Sequence, residues 1–223
     1  MEENEGARRG LFITFEGGDG VGKSTQVQRL ADALKGRGRS VVATREPGGA
    51  PGAEAIRELL VTGAADRWTP MAEALMMYAA RAEHLEKTIK PALERGDIVL
   101  CDRFIDSTMA YQGYAGALGK ANVAALRALV VPNHLLPDVT FVLSAEKGAG
   151  IERARARNDL ESRFEDKGAD YQTRVENAFL DIARDNPERC VVIDANQTID
   201  AVAAAILDAL AAKFPEIGEG RGA

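Results

Sequence analysis

The sequence predicts an α/β fold in which a five-stranded parallel sheet carries helices on both faces. Five short apolar runs have the length and the mostly continuous apolar character of strands buried on both faces; they lie at residues 11–15, 40–44, 97–101, 139–143 and 190–193. Segments with helical periodicity separate these runs, at residues 25–35, 53–61, 70–95, 123–130, 146–157, 171–184 and 199–214. This alternation of strand and helix is typical of a parallel sheet with helical crossovers.

Length and composition indicate one globular domain. The chain has 223 residues, of which 46% are hydrophobic and 28% charged, so neither disorder nor a disulfide scaffold is expected. We expect a single domain over residues 1–223, with its core at 10–214 and flexible, glycine- and charge-rich ends at 1–9 and 216–223. Cys101 and Cys190 lie in or beside apolar runs and are predicted to be buried, reduced thiols.

The charge balance limits the expected partners. With 28 Lys and Arg against 34 Asp and Glu, the net charge is −6, which argues against a general binder of nucleic acid or membranes, because such binding usually needs a basic surface. A local arginine cluster for an anionic ligand remains compatible with this charge. No apolar stretch reaches the ~18 residues of a membrane span, and the polar residues 1–10 precede no signal-peptide core. The expected location is the cytoplasm.

A glycine-rich motif predicts a nucleotide site. Residues 17–24 have the sequence GGDGVGKS, which matches the pattern G-x-x-x-x-G-K-[ST] of a phosphate-binding loop (P-loop) placed between a strand and a helix. Its glycines allow backbone N–H groups to surround phosphate oxygens, and a glycine-rich turn with a solvent-facing lysine explains the pattern less well. In such a loop Lys23 contacts the β- and γ-phosphates and the Ser24 hydroxyl binds Mg²⁺. The predicted ATP-binding residues are Gly17, Gly18, Asp19, Gly20, Val21, Gly22, Lys23, Ser24 and Thr25.

An acidic residue ends another predicted strand. The apolar run at 98–101 leads directly to Asp102. Because the carboxyl ends of parallel strands border the ligand crevice, Asp102 is predicted to support Mg²⁺ together with Ser24. A strand ending in Asp is also a common turn signal, and it is the P-loop that favours the metal role.

Three arginines lie where strands or helices should meet the crevice. Arg45 ends the second strand, Arg103 follows Asp102, and Arg81 lies on a predicted helix. A guanidinium group matches a phosphate in shape and charge, so three converging arginines would suit a phosphorylated acceptor. Each arginine taken alone also fits a surface or ion-paired position. The P-loop by itself leaves GTPases, motor ATPases, transporters and small-molecule kinases open, although the guanine signature Asn-Lys-x-Asp is missing.

Four motifs closely resemble the thymidylate kinase family in their order and spacing. They are FEGGDGVGKST at 15–25, TREPGG at 44–49, MYAAR at 77–81, and DRF at 102–104 with Ser107 and AYQG at 110–113. The resemblance extends over residues 11–214 and implies a P-loop NTPase fold with a small lid. It also implies transfer of the γ-phosphoryl group of ATP, with Mg²⁺, to dTMP in dTTP synthesis. The alternatives are another nucleoside or nucleoside-monophosphate kinase, or a P-loop ATPase switch.

The resemblance also implies roles for individual residues of the acceptor site. Asp19 matches an acidic position that organises Mg²⁺ and the acceptor, and Tyr111 matches an aromatic ring that disfavours a 2′-hydroxyl. Ser107 and Thr108 fall where the family contacts the thymine edge, whereas Met77 stands where a phenylalanine usually stacks on thymine. The three arginines correspond to contacts with the acceptor phosphate and base. The implied dTMP-binding residues are Asp19, Arg45, Met77, Arg81, Arg103, Ser107, Thr108 and Tyr111.

The family divides by the position of an extra catalytic arginine. In one type it follows the P-loop Asp, where this chain has Gly20; in the bacterial type, which this chain resembles, the arginines lie in the lid. The lid is expected at 153–169, with its charged stretch 158–169 as a loop. Arg153 and Arg157 are four residues apart and would share a helix face. The implied catalytic residues are Asp19, Lys23, Arg103, Arg153, Arg157 and Arg163.

Two further expectations depend on the resemblance. Family members tend to have a cis peptide bond before the proline of the TREPGG loop, so a cis bond between Glu46 and Pro47 is predicted. A homodimer formed through long helices is also implied, with the apolar stretches 72–80 and 123–131 as candidate contacts.

Overall fold

The computed structural model describes residues 9–145, 163–164 and 167–218. The strands are β1 (Phe12–Glu16), β2 (Val41–Arg45), β3 (Ile98–Asp102), β4 (Val139–Ser144) and β5 (Cys190–Asp194). The α-helices are α1 (Lys23–Gly36), α2 (Pro51–Val61), α3 (Pro70–His84), α4 (Lys90–Glu94), α5 (Ile105–Thr108), α6 (Lys120–Val130), α7 (Ala169–Asp185), α8 (Ile199–Lys213) and α9 (Pro215–Gly218). Two π-helical segments, Leu85–Ile89 and Met109–Tyr114, and a 3₁₀ turn, Asn133–Leu135, complete the described elements.

The strands form one five-stranded sheet in the order β2-β3-β1-β4-β5, and every neighbouring pair is parallel. Strand β1 is central, and its register with β3 pairs Phe15 with Asp102. The carboxyl ends of β1 and β3 therefore lie side by side, so the loops that follow them share one edge of the sheet. The predicted five-stranded parallel sheet and the P-loop NTPase fold are confirmed.

Both faces of the sheet are covered by apolar side chains, because successive strand residues point to opposite faces. Ile13 packs in a cluster with residues of α1 and α8, whereas its neighbour Phe12 packs in a cluster with α3, α4 and α6. Cys101 and Cys190 are buried and unbridged, as predicted. The predicted arrangement of helices on both faces is confirmed by these two clusters.

The helices depart most clearly from the sequence prediction in two places. The segment predicted as one helix over 70–95 changes to a π-helical turn at Leu85–Ile89, just before Pro91. Proline has no N–H to donate to a carbonyl four residues back, and the π turn, in which Lys90 N–H bonds the Leu85 carbonyl, accommodates this loss within a continuous helical path. The helical segment over residues 105–114 was not predicted, because α5 is a single short turn. The predicted helix at 146–157 lies outside the described residues.

The described helices also bear on the membrane question. None of them combines the length and the apolar character that are needed to cross a bilayer.

Candidate active site

A cavity of about 300 Å³ opens at the carboxyl edge of the sheet, between the P-loop, α2, α3 and the segment Met109–Tyr114. The structure brings most of the sequence-predicted site residues to this cavity. Those that line it are Asp19, Gly20, Gly22, Lys23, Ser24, Thr25, Arg45, Met77, Arg81, Asp102, Arg103, Ser107, Thr108 and Tyr111. Gly17, Gly18 and Val21 face a second cavity of about 190 Å³ on the other side of the P-loop.

The P-loop depends on glycines in left-handed conformations. Gly17, Gly20 and Gly22 have φ angles of 135°, 74° and 99°, which other residues rarely adopt. A Cβ atom on Gly17 would also lie 2.4 Å from the carbonyl oxygen of Leu143, so the close approach of the loop to β4 requires glycine. The loop leads directly into α1, whose first residues line the cavity, and a helix N-terminus in this position favours a bound anion.

Lys23 is buried inside the P-loop. Its Nζ donates to the carbonyl oxygens of Gly17 at 3.1 Å and Gly18 at 2.6 Å. Burial and the positive charge of Arg103 lower the pKa of Lys23 to about 8, although nearby carboxylates act in the opposite direction. The ammonium group therefore stays largely charged at neutral pH, next to the backbone that would receive the phosphates.

Ser24 and Asp102 form the predicted metal pair. The Ser24 hydroxyl donates to Asp102 Oδ2 at 2.6 Å, and Asp102 Oδ1 is buried without a hydrogen-bond partner among the described residues. Oxygen ligands of this kind are those that Mg²⁺ prefers, and Mg²⁺ commonly uses one or two protein ligands plus substrate phosphates. In the part of the chain that the structure describes, His, Cys, Asp and Glu form no metal-binding cluster of three or more. The pair therefore fits a metal ion that arrives with a nucleotide.

Arg103 connects the P-loop to Ser107 on α5. Its Nη1 donates to the Gly17 carbonyl at 3.1 Å and to Ser107 Oγ at 2.9 Å, while Nη2 pairs with Asp19 Oδ1 at 2.5 Å. Arg103 has a φ of 68°, a left-handed conformation that costs a non-glycine residue about 1–3 kcal/mol. Such a conformation persists only when its surroundings impose it, and it aims the guanidinium group at the P-loop.

Asp19 is held as a carboxylate opposite Arg103. Burial alone would raise the pKa of Asp19, but the charges of Arg103 and Lys23 outweigh this effect and lower it below its usual range. Its second oxygen accepts a hydrogen bond of 3.0 Å from the Tyr111 hydroxyl. Asp19, Arg103 and Tyr111 thus form one charged and hydrogen-bonded group at the wall of the cavity.

Arg81 lies in a buried network that leaves one of its nitrogens without a partner. Its Nε donates to Glu46 Oε2 at 2.7 Å, and its Nη2 donates to the Phe104 carbonyl at 2.9 Å and to Thr108 Oγ1 at 3.0 Å. His84 Nδ1 lies 3.0 Å from the other oxygen of Glu46. The Nη1 of Arg81 is buried and has no partner among the described residues, although Arg81 lines the cavity. A hydrogen-bond acceptor on a bound ligand would be a suitable partner for this nitrogen.

The TREPGG loop brings Arg45 to the edge of the same cavity. Arg45 is exposed and pairs with Glu54 Oε2 at 3.0 Å. The peptide bond between Glu46 and Pro47 is cis, as predicted. In this structure Arg45 therefore has a carboxylate partner that it would share with, or give up for, a bound phosphate.

Glu16 is a buried acid that the sequence analysis did not assign to the site. Its Oε1 accepts from the backbone N–H groups of Phe104 at 2.8 Å and Ser107 at 3.2 Å, and its Oε2 accepts from Ser107 Oγ at 2.6 Å. Burial, followed by the negative charge of Asp106, raises the pKa of Glu16 to about 7. Ser107, predicted to contact thymine, thus uses its hydroxyl between Glu16 and Arg103.

The lid arginines are only partly within the described residues. Arg153 and Arg157 lie outside them, and their catalytic assignment stays a prediction. Arg163 is described, and it does not line the cavity: its guanidinium group donates to the carbonyls of Leu60, Ala64 and Ala65 and pairs with Glu73 Oε2 at 2.6 Å. In this structure Arg163 therefore connects its segment to α2 and α3 and does not reach the P-loop.

Replacing Arg163 by Met is expected to lower the free energy of unfolding by about 3 kcal/mol. The reason is that Arg163 and Glu73 are both almost completely buried. In the variant, only Lys167 and Gln112 remain as partners of the buried Glu73 carboxylate, and they do not fully replace the lost ion pair. Urea unfolding measures the change, and the double variant Glu73→Gln/Arg163→Met should recover part of the loss.

Arg184→Met is the matched control, because Arg184 is exposed and its ion pairs should contribute little. A stability of Arg163→Met equal to that of this control would contradict the anchoring role. Measuring kcat of Arg163→Met well below its unfolding temperature tests the catalytic assignment separately.

Other residues of the cavity wall were not singled out from the sequence. Glu46 and Gln112 belong to the TREPGG and AYQG motifs, and only this membership could have indicated from the sequence that they lie at the cavity. Arg57 also lines the cavity and donates to the Pro47 carbonyl at 2.7 Å. An arginine in an amphipathic helix such as α2 is usually a surface residue, so the sequence alone offered no reason to choose it.

Together, a P-loop, two oxygen ligands suited to a metal ion and three arginines in one cavity are typical of a P-loop kinase with an anionic acceptor. A model of the thymidylate kinase family matches residues 15–206. The chain belongs to the thymidylate kinase family, as its motifs predict.

Individual relatives agree with this assignment. The chain is 55% identical over 200 residues to the thymidylate kinase of Caulobacter vibrioides, a match that covers 90% of this chain and 95% of the relative. It is 47% identical over 199 residues to the thymidylate kinase of Ruegeria pomeroyi, covering 89% and 93%. The crystal structure of thymidylate kinase from Ehrlichia chaffeensis is similar with a TM-score of 0.75 at 36% identity, covering 91% of this chain and 99% of that chain.

Proposed function

We propose that this protein transfers the γ-phosphoryl group of ATP to dTMP, giving dTDP and ADP for dTTP synthesis. One observation carries the proposal: the P-loop and the arginines Arg45, Arg81 and Arg103 open into a single cavity. A donor phosphate and an acceptor phosphate can therefore be held side by side. Family membership and the names of the relatives support dTMP as the acceptor.

The donor side of the proposal depends on the P-loop and the Ser24–Asp102 pair. Backbone N–H groups of residues 17–25 and the Lys23 ammonium would hold the β- and γ-phosphates. Ser24 and Asp102 would hold Mg²⁺, which neutralises phosphate charge when bound. Lys23 would exchange its hydrogen bonds to the Gly17 and Gly18 carbonyls for bonds to phosphate oxygens.

The acceptor side needs no strong general base. The nucleophile is a phosphate oxygen of dTMP, and the second pKa of a phosphate monoester is about 6, so it is largely ionised at neutral pH. The site must hold two anions in line against their repulsion, and Arg103 lies where it can contact both sides of that line. Thr108, Tyr111 and Met77 line the same cavity and would contact the nucleoside of the acceptor.

Because Gly20 stands in place of a P-loop arginine, another cationic side chain must stabilise the remaining negative charge on the transferred phosphoryl group. We keep Arg153 and Arg157 as the proposed source, within a lid at 153–169 that belongs to a single domain over residues 1–223. Closure of such a lid would also exclude water from the transferred phosphoryl group.

A panel of acceptors tests the proposed reaction. ADP formation from Mg²⁺ and ATP is measured with dTMP, dUMP, CMP, AMP and thymidine in turn. We expect dTMP to be the best acceptor and ATP turnover without an acceptor to be slow. A different best acceptor would assign the protein to another nucleoside or nucleoside-monophosphate kinase, and acceptor-independent turnover would favour an ATPase switch.

Replacing Met77 by Ala is expected to raise the KM for dTMP by up to about tenfold. Met77 is half-buried and lines the cavity one helical turn before Arg81, where its thioether can contact the base. Sulfur–aromatic contacts contribute about 0.3–1.5 kcal/mol. Met77→Phe should be tolerated, and the wild type should use dUMP somewhat more readily than the Phe variant, because a flexible thioether selects shape less strictly.

Steady-state kinetics with dTMP and dUMP on these proteins give the measurement, with Leu59→Ala, an exposed apolar position on α2 outside the cavity lining, as the control. Unchanged dTMP kinetics in Met77→Ala would show that Met77 only packs the helix and that Arg81, Ser107 and Thr108 hold the base without it.

We further propose a homodimer in the cytoplasm. The predicted contact stretches 72–80 and 123–131 belong to α3 and α6, and each carries an exposed large apolar residue. Leu75 is 50% exposed and Leu129 is 82% exposed, and Met71 adds a third exposed apolar side chain on α3. Burial of such residues against a second copy would remove apolar surface from water.

A further inference from the structure

Arg189 makes a buried ion pair outside the cavity. It precedes β5 directly, and its two terminal nitrogens donate to the two oxygens of Asp106, Nη1 at 2.6 Å and Nη2 at 2.9 Å. The Nη1 also donates to Thr140 Oγ1 of β4 at 3.1 Å. Asp106 is 5% exposed and Arg189 is 14% exposed, so the pair is shielded from water. A bidentate pair of this kind fixes orientation as well as distance.

Asp106 lies on α5 directly before Ser107. Ser107 receives a hydrogen bond from Arg103 Nη1 and donates its own hydroxyl to Glu16. Glu16 also accepts the N–H groups of Phe104 and Ser107, so this carboxylate serves as the cap of α5, whose own flanking residue supplies no side-chain cap. The short helix is therefore held by Glu16 on one side and by the Arg189–Asp106 pair on the other.

We infer that Arg189 is a positioning residue for the acceptor site, since it holds Asp106 and thereby fixes Ser107 and Arg103. The two carboxylates that hold α5, Glu16 and Asp106, are both buried and repel each other. Arg189 offsets the charge of Asp106, which favours the ionised form of Glu16 that accepts three hydrogen bonds at once. The inference rests on the proposed function, because its first readout is the use of dTMP.

Charged groups on five neighbouring segments interact with Glu16, and the thiols of Cys101 and Cys190 are further titratable groups beside it. Asp106 is on α5, Arg103 follows β3, Lys23 begins α1, Arg81 is on α3, and Arg189 precedes β5. Removal of Arg189 takes away one positive charge and leaves Asp106 without its counterion. Both changes favour the protonated form of Glu16, and a protonated carboxyl group loses acceptor capacity toward α5.

The test compares Arg189→Met with the wild type. We expect the KM for dTMP to rise about tenfold or more, the KM for ATP to change less than about twofold, and the acid limb of kcat/KM for dTMP to move to higher pH. Adding Asp106→Asn should restore part of the loss, because it removes the unpaired carboxylate but does not bring back the bidentate contact. The KM of Arg189→Lys for dTMP should lie between those of the wild type and Arg189→Met, since lysine keeps the charge without the bidentate geometry. Arg29→Met, which breaks an exposed ion pair with Asp200, is the control.

Each outcome decides the inference. A dTMP KM of Arg189→Met equal to that of the control, an unmoved acid limb, or a double variant no better than the single one would overturn it. If Arg189→Met fails to fold, Arg189→Lys and Asp106→Asn are compared with the wild type in its place. Equal dTMP kinetics and pH profiles in Arg189→Lys and the wild type would then overturn the inference. A wild type that does not phosphorylate dTMP overturns the proposed function instead, so the two failures are distinguishable.

Discussion

Replacing Lys23 by Ala is expected to lower kcat by about 10²-fold or more while the protein stays folded. The ammonium group lies inside the P-loop, 2.6 Å from the Gly18 carbonyl, where it would stabilise charge on the transferred phosphoryl group. A preorganised electrostatic contact of this type contributes about 3 kcal/mol or more to the transition state. Steady-state kinetics with saturating dTMP and Mg²⁺–ATP give kcat, and thermal unfolding confirms that the variant is folded.

Lys35→Ala is the matched control, because Lys35 lies on the exposed face at the other end of α1. Its kcat should equal that of the wild type. A Lys23→Ala protein with normal turnover would remove Lys23 from the catalytic assignment.

Replacing Arg103 by Met should lower kcat/KM for dTMP by about 10³-fold, the largest effect expected for any single acceptor-side residue. The variant removes a cation that contacts Asp19 and Ser107 and leaves the Asp19 carboxylate without its ion pair. Because Arg103 also lowers the pKa of Asp19, the variant should let Asp19 take a proton at higher pH than in the wild type. The lost activity should therefore be greatest on the acid side of the profile.

Arg103→Lys separates charge from geometry, since a lysine keeps the charge but cannot contact Asp19 and Ser107 as a planar fork. We expect it to recover only part of the loss. Arg29→Met, which removes an arginine from an exposed ion pair with Asp200, is the control for loss of an arginine. Arg103→Met with a normal KM for dTMP and a normal kcat would contradict the role proposed for Arg103.

The sequence predicted those parts of the site in which residue type and spacing carry the chemistry. The P-loop glycines, Lys23 and Ser24 follow one another in a pattern that works only as a unit, and Asp102 ends a strand that neighbours β1. The P-loop and Asp102 lie in one cavity because β1 and β3 are parallel neighbours whose carboxyl ends share one edge of the sheet. Arg81 and Arg103 required the family resemblance, because an isolated arginine is more often a surface residue.

The remaining features depend on which polar side chains are buried, and one-dimensional patterns do not show this. Glu16 and Glu46 are completely or almost completely buried, although glutamate is among the residues least often found inside. Arg163 was assigned to catalysis by its type and its place in the lid, whereas its position in the structure is set by Glu73, which is 90 residues earlier in the chain. Long-range partners of this kind determine the role of a charged residue, and they become visible only when the chain is folded.

The Nη1 of Arg81, which has no hydrogen-bond partner among the described residues, makes ligand discrimination in the cavity asymmetric. A buried donor without an acceptor costs about 1–3 kcal/mol. A ligand that places an oxygen or nitrogen acceptor against Nη1 avoids this cost, whereas a ligand of the same shape that presents a C–H group there incurs it. Rejection of the wrong ligand thus requires no clash, because the penalty falls on an atom that Glu46, Phe104 and Thr108 hold in position through the rest of the guanidinium group.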